Sequence, residues 1–201
     1  MVSPVCVHGN HDQVALKHRL RATYSTRRRG RPESARREAA AALAARVAEL
    51  DLTGKTVCGY VPCGTEPGDI DFVEALANAA QTLLLPVVTG ASPLDWAVYT
   101  GTNSLVTARF NLLEPTGPRC GPDAVADADV ILVPALGVSR AGVRLGRGGG
   151  HYDRSLPSAH AGARLVAVVY DDELTDALPA EPHDVRVQWV LTPRTGLQRL
   201  E

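Results

Sequence analysis

The ten residues Arg144-Leu-Gly-Arg-Gly-Gly-Gly-His-Tyr-Asp153 gather the residue types that grip an anion. Four of them are glycines, Gly146, Gly148, Gly149 and Gly150. Glycine lets the backbone approach a ligand closely and turn its N–H groups inward. Arg144 and Arg147 add planar, permanently charged donors that match phosphate oxygens. The segment from about His151 to Leu156 reads as the start of a helix, whose first N–H groups are free to donate. Asp153 follows at once, where a carboxylate can hold a metal ion that bridges phosphates. The chemistry these types suggest is that of a triphosphate site.

A glycine loop serves equally well as a tight turn, and general motifs do not decide the matter. No Gly-Lys-Ser/Thr follows, so this is not a Walker loop, and His151 stands where GxGxxG needs its last glycine. Other residues have suggestive spacing. Lys17 and Arg21 lie four apart, so a helix would present both on one face, able to clamp phosphates. Cys63 and Glu66 share the turn Pro62 to Gly68. Cys63 has no base near it in sequence and reads as a small buried thiol rather than a nucleophile. Trp96 and Tyr99 lie in an alternating stretch, either as half-buried strand residues or as a platform for a flat ring.

The longer pattern is more specific. Asp129-Val-Ile-Leu-Val-Pro-Ala-Leu-Gly137, followed by Arg144-Leu-Gly-Arg-Gly-Gly-Gly-His-Tyr-Asp-Arg154, resembles the signature of the 5-formyltetrahydrofolate cyclo-ligase family. The likeness runs from about Lys17 to Pro193, through Lys17-x-x-x-Arg21, Gly64-Thr-Glu66, Leu113-Glu-Pro115, Pro182-His-Asp184 and Thr192-Pro193. It departs at His151, where the family commonly has tyrosine, at Asn111, where glycine is usual, and at Val87 and Val88 after Pro86.

That resemblance implies an enzyme that closes 5-formyltetrahydrofolate to 5,10-methenyltetrahydrofolate with ATP and Mg²⁺, releasing ADP and phosphate. The reaction would pass through a phosphorylated formyl oxygen. It implies ATP at Lys17, Arg21, Arg144, Leu145, Gly146, Arg147, Gly148, Gly149, Gly150, His151 and Tyr152. It implies folate at Val61 and Glu66, and again along Arg147, Gly148, Gly149, Gly150 and His151. Asp153 and Asp184 become the metal carboxylates. Arg147 becomes the candidate catalytic group, stabilising charge on the moving phosphoryl.

Elements must hold these residues in place. After a loose extension over 1–11, a helix is expected from about Asp12 to Arg29. A second, with Ala39, Leu43, Val47 and Leu50 at helical spacing, runs over 32–50. Strands are expected near 55–61, 83–88 (broken by Pro86), 130–134, 164–170 and 185–191, with Asp69 capping a helix over 70–81. The alternation predicts one α/β domain over 12–201: a three-layer, open, mostly parallel, Rossmann-like sheet with helices on both faces. Ligand loops then gather at the carboxyl ends of the strands, at 61–66 and 134–150. The glycine-punctuated loop from Pro134 to Arg144 reads as a mobile cover over the nucleotide.

With 201 residues and a net charge of −1, the composition argues against a dedicated nucleic-acid binder. No apolar run reaches the ~18 residues of a membrane span. Four cysteines without a C-x-x-C pair read as free thiols in a reducing cytoplasm. The expectation is a cytoplasmic monomer whose partners are ATP and a folate, without nucleic acid or membrane. Two alternatives stay open: a related cyclo-ligase acting on a non-folate substrate, and a non-catalytic nucleotide- or RNA-binding module using Arg27 to Arg37.

Overall fold

Val130 to Val133 form an unbroken apolar run because the strand they make is covered on both faces. Val130 and Leu132 point into one core, Ile131 and Val133 into another. Side chains alternate along a strand, so a two-sided core needs apolar residues at every position. The computed structural model describes residues 8–109 and 112–201, with first-helix side chains from Gln13 onward.

The chain opens with helices α1 (His8–Arg29) and α2 (Glu33–Arg46). Next come β1 (Thr56–Cys58), α3 (Ile70–Ala79), β2 (Thr82–Val87) and β3 (Asp95–Val98). A small ribbon pairs β4 (Leu105–Thr107) with β5 (Leu113–Pro115). Then follow β6 (Val130–Pro134), β7 (Gly137–Ser139), β8 (Arg144–Leu145) and α4 (His151–Ser155). The chain closes with β9 (Arg164–Val168), β10 (Leu174–Thr175), β11 (Trp189–Thr192) and β12 (Gly196–Arg199). The main sheet has seven strands in the order β12-β11-β9-β6-β1-β2-β3. Its inner pairs are parallel, and β3 and β12 close the edges antiparallel.

The expected α/β sheet is present, with informative differences. One face is covered by α2 and α3 through Leu43, Phe72, Val73 and Leu76. The other is covered mainly by short turns, with Val125, Leu156 and Tyr152 of α4 packed on it. Asp69 caps α3, its Oδ1 accepting from the N–H of Asp71 at 3.1 Å. α1 begins at His8, ahead of the expected start near Asp12; residues 1–7, with Cys6, lie outside the described residues. Cys58, Cys63 and Cys120 are free thiols.

Pro86 sits inside β2 rather than breaking it. The Leu83 carbonyl faces β3, accepting from Tyr99 N–H, while the Leu84 carbonyl faces β1, accepting from Gly59 N–H. Pro86 therefore turns its nitrogen to the side where β1 has already ended, and no ladder bond is lost. The first strand itself stops at Cys58 instead of reaching Val61.

The expected mobile cover at 134–144 is instead a pinned hairpin. Leu136 N–H donates to the Leu145 carbonyl at 2.7 Å, and Ser139 N–H to the Val143 carbonyl at 2.8 Å. Val138, Val143 and Leu145 are buried, and β10 adds a third strand. Apolar side chains on both arms hold it down. α1 lies across this hairpin, with Tyr24 and Leu20 packed on Leu136 and Leu145.

The basic run is also internally engaged. Arg27 and Arg31 pair with Asp172, Arg28 with Glu173 and Arg37 with Glu33. No described helix is long and apolar enough to cross a membrane.

Candidate active site

A cavity of about 730 Å³ opens at the carboxyl ends of β6, β1 and β2, marked by Pro134, Val61 and Pro86 on its wall. Every residue singled out above for ATP, folate or metal lines it, from Lys17 and Arg21 through Val61, Glu66 and the loop Arg144 to Asp153, to Asp184. The topology explains the gathering: parallel strands deliver their following loops to one end of the sheet. α1 then crosses that end and adds its lysine and arginine.

The glycine loop takes a path that side chains resist. Gly148 has φ +100° and Gly150 φ +66°. A Cβ on Gly150 would collide with the Arg154 guanidinium. Arg154 in turn donates to the Gly149 carbonyl at 2.9 Å and meets His151 Nδ1 at 3.2 Å. A guanidinium only donates, so Nδ1 is the accepting atom of this contact. Arg21 Nε donates to the Gly146 carbonyl at 2.9 Å, tying α1 to the loop. α4 begins at His151 as expected but is only five residues long.

Cations and carboxylates are already matched along the wall. Lys17 Nζ donates to Glu181 Oε2 at 2.6 Å and Asp184 Oδ2 at 2.7 Å. Burial works against the ammonium, but the Asp184 and Glu181 carboxylates more than offset it and raise its pKa. Burial likewise opposes ionised Asp184, yet Lys17 and the Glu181 N–H hold its carboxyl below the usual range. Arg144, almost fully buried, donates Nη2 to Asp153 and leaves Nε without a partner among the described residues. Arg147 Nε meets Glu66 Oε1 at 3.1 Å, and Glu66 also accepts from Cys63 N–H at 2.9 Å. Burial pushes the Cys63 thiol up, with Glu66 adding to it, as suits an unreactive thiol.

The two proposed metal carboxylates are held differently. Asp184 forms a group with Glu181 and His183 whose ligand atoms lie within 4.8 Å of one another. Asp153 is not part of that group and is held by Arg144. Hard carboxylate oxygens suit Mg²⁺; the cation that Asp184 and Glu181 now hold is the Lys17 ammonium, and Asp153 holds the Arg144 guanidinium. The fit is chemically sound, with Glu181 and His183 as donors that sequence reasoning did not select. The signal was present: three donor types stand within four residues, Glu181 to Asp184.

The remaining wall is apolar: Val61, Val88, Leu94, Leu112 and Leu113. Trp96 and Tyr99 do not line it. Trp96 is wholly buried in the core, and Tyr99 bonds Glu74. The aromatic walls are Tyr60 and Tyr152 instead, both with buried hydroxyls lacking a partner among the described residues. Burial raises both phenols, so they stay protonated donors at neutral pH. Glu114 also lines the wall and accepts from Val88 N–H at 2.9 Å.

Comparison with known proteins places the chain in a family. The chain is 46% identical over 189 residues to a 5-formyltetrahydrofolate cyclo-ligase of Mycolicibacterium smegmatis, covering 92% of this chain and 97% of that one. The NMR structure of Aquifex aeolicus 5,10-methenyltetrahydrofolate synthetase superposes with a TM-score of 0.76 at 27% identity, covering 92% of this chain and 93% of that one. A 5,10-methenyltetrahydrofolate synthetase from Mycoplasma pneumoniae shares the fold at a TM-score of 0.68 and 22% identity, covering 87% of this chain and 96% of that one. A model of the 5-formyltetrahydrofolate cyclo-ligase family matches residues 13–193, and the chain belongs to that family.

Proposed function

We propose that this protein closes 5-formyltetrahydrofolate to 5,10-methenyltetrahydrofolate at the expense of ATP, as a cytoplasmic monomer working on small molecules alone. The observation that carries the reading is one cavity that joins a glycine loop and four cations to an apolar, tyrosine-walled space. The loop amides with Lys17, Arg21 and Arg144 would hold the triphosphate. Val61, Glu66 and the two tyrosines would meet the folate.

The chemistry fits such a site. A formyl oxygen on nitrogen is a poor leaving group. In the first step that oxygen attacks the γ-phosphorus, and the bond to ADP breaks. N10 then attacks the activated carbon and loses its proton, while the C–O bond breaks and phosphate leaves. Positioning and charge stabilisation suffice, and no protein nucleophile is needed. Arg147, more than half exposed and leaning on Glu66, is placed to turn toward the transferring phosphoryl group. Asp184 and Asp153, with Glu181 beside Asp184, would hold Mg²⁺, which when bound neutralises phosphate charge. Lys17 would then pass from the carboxylates to a phosphate oxygen.

The test mixes purified protein, ATP, Mg²⁺ and 5-formyltetrahydrofolate and follows methenyl absorbance. Absorbance that grows with ADP release supports the reading. No methenyl product, with or without ATP hydrolysis, sinks it.

A further inference from the structure

Five carboxylates line the cavity, those of Glu66, Glu114, Asp153, Glu181 and Asp184. Four of them are ion-paired: Glu66 with Arg147, Asp153 with Arg144, and Glu181 and Asp184 with Lys17. Glu114 is the exception and has no cationic partner among the described residues. Its bond there is at Oε1, which accepts from Val88 N–H at 2.9 Å, and Oε2 is left open. The surroundings are apolar. Glu114 is half-buried in β5 beside Leu113, and Val88, Leu112 and Leu113 line the cavity with it. A carboxylate on such a wall gains most from donors that a ligand brings, because few others compete for it. Its place in the fold sets the direction. Glu114 is fixed through Val88 to the end of β2, whereas the glycine loop follows β6 by way of the β7–β8 hairpin. In the sheet β1 stands between β6 and β2. A flat ligand that crosses the end of β1 from the glycine loop therefore finishes at Glu114.

We infer that Glu114 reads the amino-pyrimidinone edge of the folate ring, accepting from its N3–H and its 2-amino group. The inference rests on the folate reading above and adds to it the residue that selects the ring. That edge presents two N–H donors side by side, which match the two oxygens of one carboxylate. Oε1 has a second lone pair to share between Val88 and the ring, and Oε2 is free. Glu66 is less suited, since Oε1 meets Arg147 and Oε2 accepts from Cys63 N–H. Adenine offers no such edge: its 6-amino group stands beside N1, which only accepts. An unpaired carboxylate here therefore favours the folate over the nucleotide base.

The experiment compares wild type and Glu114→Gln on 5-formyltetrahydrofolate and on its 2-desamino-2-methyl analogue. The glutamine oxygen still accepts from Val88 N–H, so β5 keeps its tie to β2. Its NH₂ group, however, faces donors with another donor. Glu114→Gln is expected to raise KM for the folate about ten- to a hundredfold, with KM for ATP within about twofold of wild type. The wild type should use the analogue about tenfold less well than the parent, and Glu114→Gln should discriminate about twofold or less. A merely structural role would weaken both substrates alike and leave that ratio in place. A rise in KM for ATP instead, or an analogue preference that survives in Glu114→Gln, overturns the inference. So does a wild type that treats the two folates equally, a result that needs no variant. A wild type that turns over neither folate fails the proposed function and this inference together; turnover without discrimination fails the inference alone.

Discussion

Replacing Arg28 by methionine tests how α1 is fixed over the site. Arg28 and Glu173 are each 1% exposed along their side chains. Arg28 gives Nε and Nη2 to the two Glu173 oxygens at 2.8 and 2.7 Å, and Nη2 also to the Ala135 carbonyl at 2.6 Å. Burial opposes the guanidinium, yet Glu173 wins and raises its pKa. Arg28→Met leaves a buried carboxylate whose remaining donor is Tyr170 N–H. Breaking one side of such a pair costs about 3–5 kcal/mol. In a chain of this size that lowers Tm by about 6–20 °C. Glu173→Gln in the same chain removes the stranded charge and keeps an acceptor for Tyr170, so the double variant should recover about 2 kcal/mol or more. By contrast, Arg27 meets Asp172 at the surface, 46% and 40% exposed, and Arg27→Ala should cost no more than about 1 kcal/mol. Urea unfolding of the four chains measures all these terms. An Arg28→Met loss under about 1 kcal/mol, or a double variant no more stable than the single, would refute the argument. Because Ala135 lines the cavity, the same variant assayed well below its new Tm should show a raised KM for ATP.

Asp153→Ala should abolish ATP turnover, by about a hundredfold or more, in a protein that still folds. Circular dichroism and an ADP-release assay check it together, and full turnover would remove the metal role. The Lys17–Asp184 tie gives a pH window. Asp184 is held below its ordinary value, so its contribution is present above about pH 4 and drains as pH falls through the folded pKa. Lys17 is held above its ordinary value, so its contribution is present below about pH 10.5 and is lost as pH rises through the folded pKa. The stability gap between wild type and Lys17→Met should therefore be flat from about pH 5 to 9 and narrow on both sides; a gap unchanged at about pH 3 contradicts the tie.

What could be read from sequence was what spacing alone controls. The loop Arg144 to Asp153 is contiguous, and Lys17 with Arg21 needs only a helix to share a face. The parallel strands declared themselves because β6 and β9 bury both faces and so are apolar, apart from Arg164 at the start of β9. Features that depend on a neighbour were harder. Pro86 reads as a strand breaker until the end of β1 beside it is known. The hairpin after β6 reads as a free loop because glycines separate the apolar residues that pin it. Trp96 reads as half-buried because its strand alternates, whereas a second layer covers its other side. A smaller groove beside the cavity, walled by Arg21, Arg29 and Arg147, depends on α1 meeting the turn at Gly64 and Thr65, about forty residues away in the chain.

That dependence on α1 reaches the chemistry. Within the glycine loop, Arg144 is committed to Asp153 and Arg147 to Glu66. The loop alone therefore presents amides and cations already paired. The extra positive charge arrives on α1, whose Lys17 reaches Asp184 across 167 residues and whose Arg21 reaches Gly146 across 125. Both contacts occupy groups that a nucleotide and its metal would claim: Lys17 would exchange a carboxylate pair for a phosphate, freeing Asp184 for the ion. An incoming triphosphate would thus replace one set of ion pairs by another rather than meet bare charge. The desolvation of Lys17 and Asp184 has already occurred in folding, so binding need only exchange partners. A helix remote in sequence from the glycine loop thereby supplies the preorganisation that the loop lacks.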